Sequence, residues 1–92
     1  MIRTFRHRGL RRLYERDDAS RVAPDQLERI IVALADLDAA DKPGDLDLPG
    51  YRLHPLRGDR RGLWSISISS NWRITFRVED GDVYEVDLVD YH

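Results

Sequence analysis

The side chains that could move a proton or hold a phosphate near neutral pH fall in two short segments and at one position between them. Leu53-His54-Pro55-Leu56-Arg57-Gly58-Asp59-Arg60 is dense in His and Arg, and Asp90-Tyr91-His92 are the last residues of the sequence. Arg73 lies between them, inside a run of alternating apolar residues. Cleavage of RNA by its own 2′-hydroxyl needs three things: a group to take the hydroxyl proton, a group to protonate the leaving oxygen, and cations on the phosphate. A His titrates near neutral pH and can do either proton job, so His54 and His92 are each candidates for both. His7 stands between Arg6 and Arg8 and is expected to line a basic surface. Each residue has a plainer explanation: a His before Pro is an ordinary loop residue, a His at the end of a sequence is frayed or part of a tag, and Tyr91 caps the core. Singly those explanations win. The combination with Arg73 and Arg57 is what points to phosphate chemistry.

Strands must position these residues. Trp64, Ile66 and Ile68 alternate with Ser65, Ser67 and Ser69; Trp72, Ile74, Phe76 and Val78 alternate with Arg73, Thr75 and Arg77; Tyr84, Val86 and Leu88 alternate with Val83, Glu85, Asp87 and Val89. Each pattern has the period of a half-buried strand. A one-residue slip would move every apolar side chain to the wrong face. Keeping the apolar rows together sets Ile74 opposite Ile66 and leaves Ser69-Ser70-Asn71 as a loop, with Asn71 at a position that tolerates left-handed backbone. The same logic sets Ile74 opposite Val86 and Phe76 opposite Tyr84, with Glu79-Asp80-Gly81 as the second loop. The other face then carries the row Ser67, Arg73, Asp87, followed by Ser65, Thr75, Glu85 and by Leu63, Arg77, Val83. Arg73 is expected between a hydroxyl and a carboxylate, with Asp90 level with Ser70 at the sheet end. An ordinary solvent face with a cross-strand ion pair would look the same.

Helices fill the first half. Met1 to Phe5 reads as a short strand, and Leu10 to Arg16 as a short helix opened by Gly9. Pro24 and Asp25 suit the start of a second helix. There Leu27, Ile30, Ile31, Leu34 and Leu37 form one apolar stripe, which ends before Lys42-Pro43-Gly44. Two N-terminal helices laid on a small antiparallel sheet make an α+β fold. Ninety-two residues predict a single domain, 1–92.

With no Cys, disulfides, thiol nucleophiles and Cys-based metal sites are excluded. No apolar run approaches the roughly 20 residues needed to span a bilayer, and the N-terminus lacks the apolar core of a signal peptide; a cytoplasmic protein with no membrane partner is expected. The net charge of −2 is built from blocks of alternating sign: +5 over residues 1–16, −6 over 17–50, +5 over 51–78 and −6 over 79–92. From charge alone, faces that pair with one another are favoured over a shared anion-binding surface. Fourteen of the fifteen bases are Arg, which suits bidentate phosphate binding, though a GC-rich genome gives the same bias.

The order His-Pro-Leu-Arg-Gly-Asp-Arg, Gly-Leu-Trp-Ser-Ile-Ser-Ile, Asn-Trp-Arg-Ile-Thr-Phe and the closing Asp-Tyr-His resembles HigB-type toxins of the RelE/ParE superfamily, as does the start, Ile2-Arg3-Thr4-Phe5-Arg6-His7-Arg8-Gly9-Leu10. The resemblance covers essentially the whole chain. It implies a RelE-like, microbial-ribonuclease-type fold and a metal-independent endoribonuclease that cuts mRNA in the ribosomal A site, with no cofactor. It also implies a HigA-like helix-turn-helix antitoxin, through which alone the toxin would reach operator DNA. The site residues it implies are His54, Arg57, Arg73, Asp90, Tyr91 and His92. Position 57 is typically Lys in that family; Arg keeps the charge but cannot shed a proton. On this reading Asp90 and His92 share the proton work near the 2′-hydroxyl, with His54 as partner acid. Arg73 and Arg57 stabilise the phosphorane, and Tyr91 stacks on a base. Arg3, Arg6, Arg8, Arg11 and Arg12 would contact ribosomal RNA.

Two other readings share the scaffold. A ParE-like toxin inhibits DNA gyrase by binding alone, and would have no need of His54 with Asp-Tyr-His. An interaction domain would dock a partner on the stripe of the second helix, which is better used as core.

Overall fold

A computed structural model describes residues 1–91. Helix α1 spans Arg8–Arg16 and α2 spans Leu27–Ala39. They lie on a sheet of β1 (His54–Pro55), β2 (Trp64–Ser67), β3 (Trp72–Glu79) and β4 (Asp82–Asp90), antiparallel throughout, in the order β1-β2-β3-β4. The N-terminal segment follows the outer side of β4 through two parallel bridges, Ile2 to Val83 and Phe5 to Val86.

His7, half-buried between exposed Arg6 and Arg8, also has a local structural task. Its Nδ1 accepts the Leu10 N–H at 3.1 Å and caps α1, satisfying one of the amides that a helix start leaves open. Gly9 is required by a close approach: a Cβ there would meet Arg21 Cβ at 2.9 Å and the Arg21 carbonyl at 3.0 Å. A 3-10 turn, Pro24–Gln26, leads into α2.

One face of the sheet packs against the helices. Leu10, Leu13, Ile30, Ala33, Leu34 and Leu37 meet Ile66, Ile68, Ile74, Phe76, Val83 and Val86 in one cluster. The expected stripe on α2 is displaced at one position: Ile31 is 48% exposed, because successive helical residues are about 100° apart and Ile30 takes the inward place. Two Tyr–Asp pairs tie polar groups at the rim. Tyr14 donates to Asp38 at 2.5 Å, and Tyr51 donates to Asp36 at 2.5 Å. The Asp38 bond, with burial, pushes the Tyr14 hydroxyl up to about 12. Asp38 is in turn held below its usual range by Tyr14 and by the Ile2 N–H.

The β2–β3 register is the expected one, with Ile66 opposite Ile74 and Ser67 opposite Arg73. Asn71, however, is not among the described residues with left-handed backbone. The β3–β4 register differs. Ile74 faces Leu88 rather than Val86, and Tyr84 faces Arg77 rather than Phe76. Two features cause this. The turn is the two-residue Asp80-Gly81, both at positive φ, instead of a three-residue loop. A bulge then places Glu85 and Val86 together opposite Phe76, with Glu85 at φ 57°. The extra residue switches faces, so Val83 and Val86 are both buried while Tyr84 stays on the opposite side over Arg77.

Candidate active site

The sheet face turned away from the helices carries the candidate site. Cross-strand partners share a face, which makes His54, Ser65, Thr75 and Asp87 one row across the four strands. The next row is Ser67, Arg73 and Val89; at the sheet end Asp90 is opposite Trp72, which belongs to the other face, and not level with Ser70 as expected. Asp87 is therefore level with Thr75, not with Arg73, and Glu85 leaves the Ser65 row; both shifts follow from the shorter turn and the bulge together.

This face is not simply solvent-exposed. Ser65 is fully buried and Thr75 is 4% exposed. The Arg73 side chain leans back over the first row, and its Nη1 donates to Ser65 Oγ at 3.2 Å. Its guanidinium carbon lies 4.8 Å from the centre of the Tyr91 ring, a cation–π distance. Tyr91 is anchored by its own N–H, which donates to the Asn71 carbonyl at 2.5 Å. The plainer alternative, a cross-strand ion pair, is not what holds Arg73: among the described residues no carboxylate forms an ion pair with it. Among the described residues its neighbours are a hydroxyl and an aromatic face, which orient the charge without neutralising it.

His54 lies in β1, opposite Ser65, and is exposed. Its segment thus begins as a short edge strand, His54–Pro55, and not as a loop. Arg57 is exposed just beyond β1, at the start of the Gly58–Arg60 turn, with no ion pair among the described residues. Asp90 ends β4 next to the Arg73 row. His92 lies outside the described residues. The structure therefore brings Arg73, Tyr91 and His54 to one face, with Asp90 at the adjoining sheet end on the Trp72 side and Arg57 just beyond the edge strand.

The N-terminal arginines do not join them. Arg3 pairs with Asp82 at 3.1 Å, holding that carboxyl below its usual range. Arg11 pairs with Glu15 at 3.1 Å, and Arg12 lies 3.8 Å from Asp18. Arg6 and Arg8 are exposed at the start of α1, beyond the opposite sheet edge from His54. Arg77 is also spent on carboxylates, Glu79 and Glu85. Ser65 went unassigned by sequence reasoning, although the correct β2–β3 register already put it diagonal to Arg73. Among the described residues, no group of three or more His, Asp or Glu side chains is placed to hold a metal ion. No helix among them is long and apolar enough to cross a membrane.

The chain is similar to known proteins. The chain is 45% identical to Endoribonuclease HigB of Proteus vulgaris over 92 residues, all of both chains. It is 34% identical to Toxin HigB-1 of Vibrio cholerae over 83 residues, 88% of this chain and 87% of that one. Among solved structures, the YoeB/ParE toxin from Agrobacterium tumefaciens superposes with a TM-score of 0.62 at 18% identity, covering 100% of this chain and 99% of that one. YafQ from E. coli gives 0.58 at 15% identity, covering 98% and 91%. These two show the shared fold: helices on a small antiparallel sheet. Residues 3–92 match the HigB-like toxin family, described as the RelE-like toxin of the type II toxin-antitoxin system HigB, and the chain belongs to that family.

Proposed function

We propose that this chain is the toxin of a type II toxin–antitoxin pair and a metal-independent endoribonuclease that cuts mRNA in the ribosomal A site, stopping translation. The observation that carries this reading is Arg73, held over a hydroxyl and an aromatic ring with no carboxylate ion pair among the described residues, on the face that also bears His54, with Asp90 at the adjoining sheet end. A cation so placed suits a phosphate that gains charge in its transition state.

In the reaction, a base removes the 2′-hydroxyl proton and the oxygen attacks the adjacent phosphorus. Arg73, with Arg57, stabilises the phosphorane. An acid then protonates the departing 5′-oxygen, leaving a 2′,3′-cyclic phosphate. Asp90 and His92 share the first proton transfer and His54 supplies the second, or the roles of the two His are exchanged. Tyr91 stacks on a base as it supports Arg73. Exposed Arg6 and Arg8 are the N-terminal residues best placed to meet ribosomal RNA. Arg3, Arg11 and Arg12 must first leave their carboxylates.

Membership of a type II family entails an antitoxin. A HigA-like helix-turn-helix protein fits that part, linking the toxin to operator DNA. The 70S ribosome and its message are the targets, in the cytoplasm. Gyrase inhibition by binding alone would leave the His54 and Arg73 face without a task, and the full-length relative is named an endoribonuclease.

So small a site relies on the ribosome to align the message. Purified protein should cut mRNA on ribosomes and leave naked mRNA intact. Equal cleavage of both would overturn ribosome dependence, and cleavage of neither would overturn the nuclease.

A further inference from the structure

We propose that Ser65 is a positioning residue for Arg73: its buried hydroxyl sets where the guanidinium meets the scissile phosphate. The inference rests on the ribonuclease reading above and adds a residue to it.

Ser65 occupies an unusual place for a serine. It is fully buried in the middle of β2, flanked across the sheet by His54 on one side and Thr75 on the other. A buried hydroxyl is costly unless it is hydrogen-bonded, and Ala would fill a strand position at no such cost. The partner that justifies the hydroxyl is Arg73, whose Nη1 reaches diagonally from the neighbouring row.

The geometry gives that bond a purpose. A free arginine side chain samples many rotamers, and those must be frozen before it can serve a transition state. Here two contacts from different directions restrict it: Ser65 Oγ from the sheet floor, at 3.2 Å, and the Tyr91 ring, at 4.8 Å. The chemistry of the floor contact matters as well. A carboxylate would orient the guanidinium equally well, but would cancel its charge and repel the phosphate. A hydroxyl orients it and leaves the charge intact, with the remaining N–H donors available to phosphate oxygens. Because Ser65 is also the cross-strand partner of His54, one residue fixes the spacing between the phosphate-binding cation and a proton-transfer group.

The test is a cycle of variants in single-turnover cleavage of ribosome-bound mRNA, with ribosome affinity and melting temperature measured alongside. S65A should slow cleavage by about tenfold to a hundredfold, the scale of a small misplacement of a catalytic group, while ribosome affinity stays at the parental value. S65C, near-isosteric with a weaker acceptor, should fall between S65A and the parent; it decides the matter if S65A fails to fold. In the Arg73→Ala background, S65A should slow cleavage no further, since the group it positions is gone. A folded S65A or S65C that cleaves at the parental rate, while Arg73→Ala is inactive, overturns the positioning role and leaves the nuclease reading intact. Additive losses in the double variant also overturn it, because Ser65 would then act independently of Arg73. Parental cleavage by Arg73→Ala would sink the site assignment itself, whatever Ser65 does.

Discussion

The two faces of the sheet are held by different physics. On the helix side, Ile66, Ile74, Phe76, Val83 and Val86 are fully buried among the side chains of α1 and α2. Burial of that kind is the main source of stability in a domain. On the other side Arg73 is half-buried over Ser65, Tyr91 is 40% exposed and His54 faces solvent. Stability and chemistry are thus assigned to opposite sides of the same four strands, and substitutions should separate them.

The largest separation is expected at Arg73. Arg73→Ala removes no core atoms, so the melting temperature should change little. Loss of one charge-stabilising group at a phosphoryl site costs on the order of a hundredfold or more in rate. His92→Gln, which keeps length and polarity while removing proton chemistry, should give a loss of about a hundredfold or more, the scale of general acid–base catalysis. Circular dichroism with a growth assay and ribosome-bound cleavage checks both. A folded Arg73→Ala that remains fully toxic would make the opposite face a plain surface. His92→Gln cutting at the parental rate would leave His54 as the only His in the mechanism.

A second contrast lies along β3, which pairs on both sides. Its hairpin with β2 is legible in the sequence, because strict alternation from Trp64 to Val78 admits one register, and that register brings Ser67 to Arg73. Its hairpin with β4 is legible only in part. Asp80-Gly81 is a strong two-residue turn signal, which alternation alone overrode. The bulge at Glu85 has no comparable signal, since a non-glycine residue at φ 57° leaves no mark in composition. Its place is explained instead by distant pairing: the Glu85 N–H donates to Thr4 Oγ1 at 2.8 Å, and the Val86 N–H to the Thr4 carbonyl at 3.1 Å. For the candidate site, Arg73 could be placed from the strand pattern; Asp90, expected level with Ser70, lies opposite Trp72 because the β3–β4 register shifts. The row containing Asp87 could not be placed either, and the helix cap formed by His7 is not legible from its place among arginines.

That contrast can be sharpened by comparing Val with Gly at two positions of β4. Left-handed backbone costs a side-chain-bearing residue roughly 1–2 kcal/mol. Glu85→Gly relieves that cost but loses an exposed pair with Arg77, worth about 0–1 kcal/mol, together with some unfolded-state entropy; it should be neutral within about 1 kcal/mol. Glu85→Val should be less stable than Glu85→Gly by roughly 1–2 kcal/mol. At Val89, in regular pairing with Arg73, the order should reverse, with Gly the worse by about 0.5–1 kcal/mol. Urea unfolding at both sites decides it. Glu85→Val matching or exceeding Glu85→Gly would remove the bulge.

The smallest effect belongs to the helix side and should show most clearly against pH. Tyr14 donates to Asp38 at 2.5 Å, and Asp38 also accepts the Ile2 N–H at 3.0 Å, joining α1, α2 and the N-terminal segment. The Tyr14 proton is held more tightly in the folded chain, with its titration raised from 10.0 to about 12. A group raised on folding stabilises fully below its unfolded value and loses that contribution as pH climbs through the folded one. The bond should therefore support the fold at neutral pH and fade between pH 10 and about 12. Asp38 is shifted the opposite way, from 3.8 downward, so its contribution is present above that value and is lost as pH falls through the lower folded one. Tyr14→Phe should cost about 1 kcal/mol at neutral pH, the net worth of one hydrogen bond. It should also shallow the alkaline loss of stability without abolishing it, since Tyr51 is likewise raised by burial and Asp36. The acid loss of stability should be shallower as well, because Asp38 loses the partner that holds its carboxyl down and so differs less between the folded and unfolded chain. Ribosome-bound cleavage should stay at the parental rate, as the pair lies on the helix side of the sheet. Urea melts at neutral and alkaline pH supply the check: an alkaline slope identical to the parent would show that the Tyr14 proton contributes nothing to folding. A drop in cleavage without a drop in stability would break the division between the two faces from its apolar side.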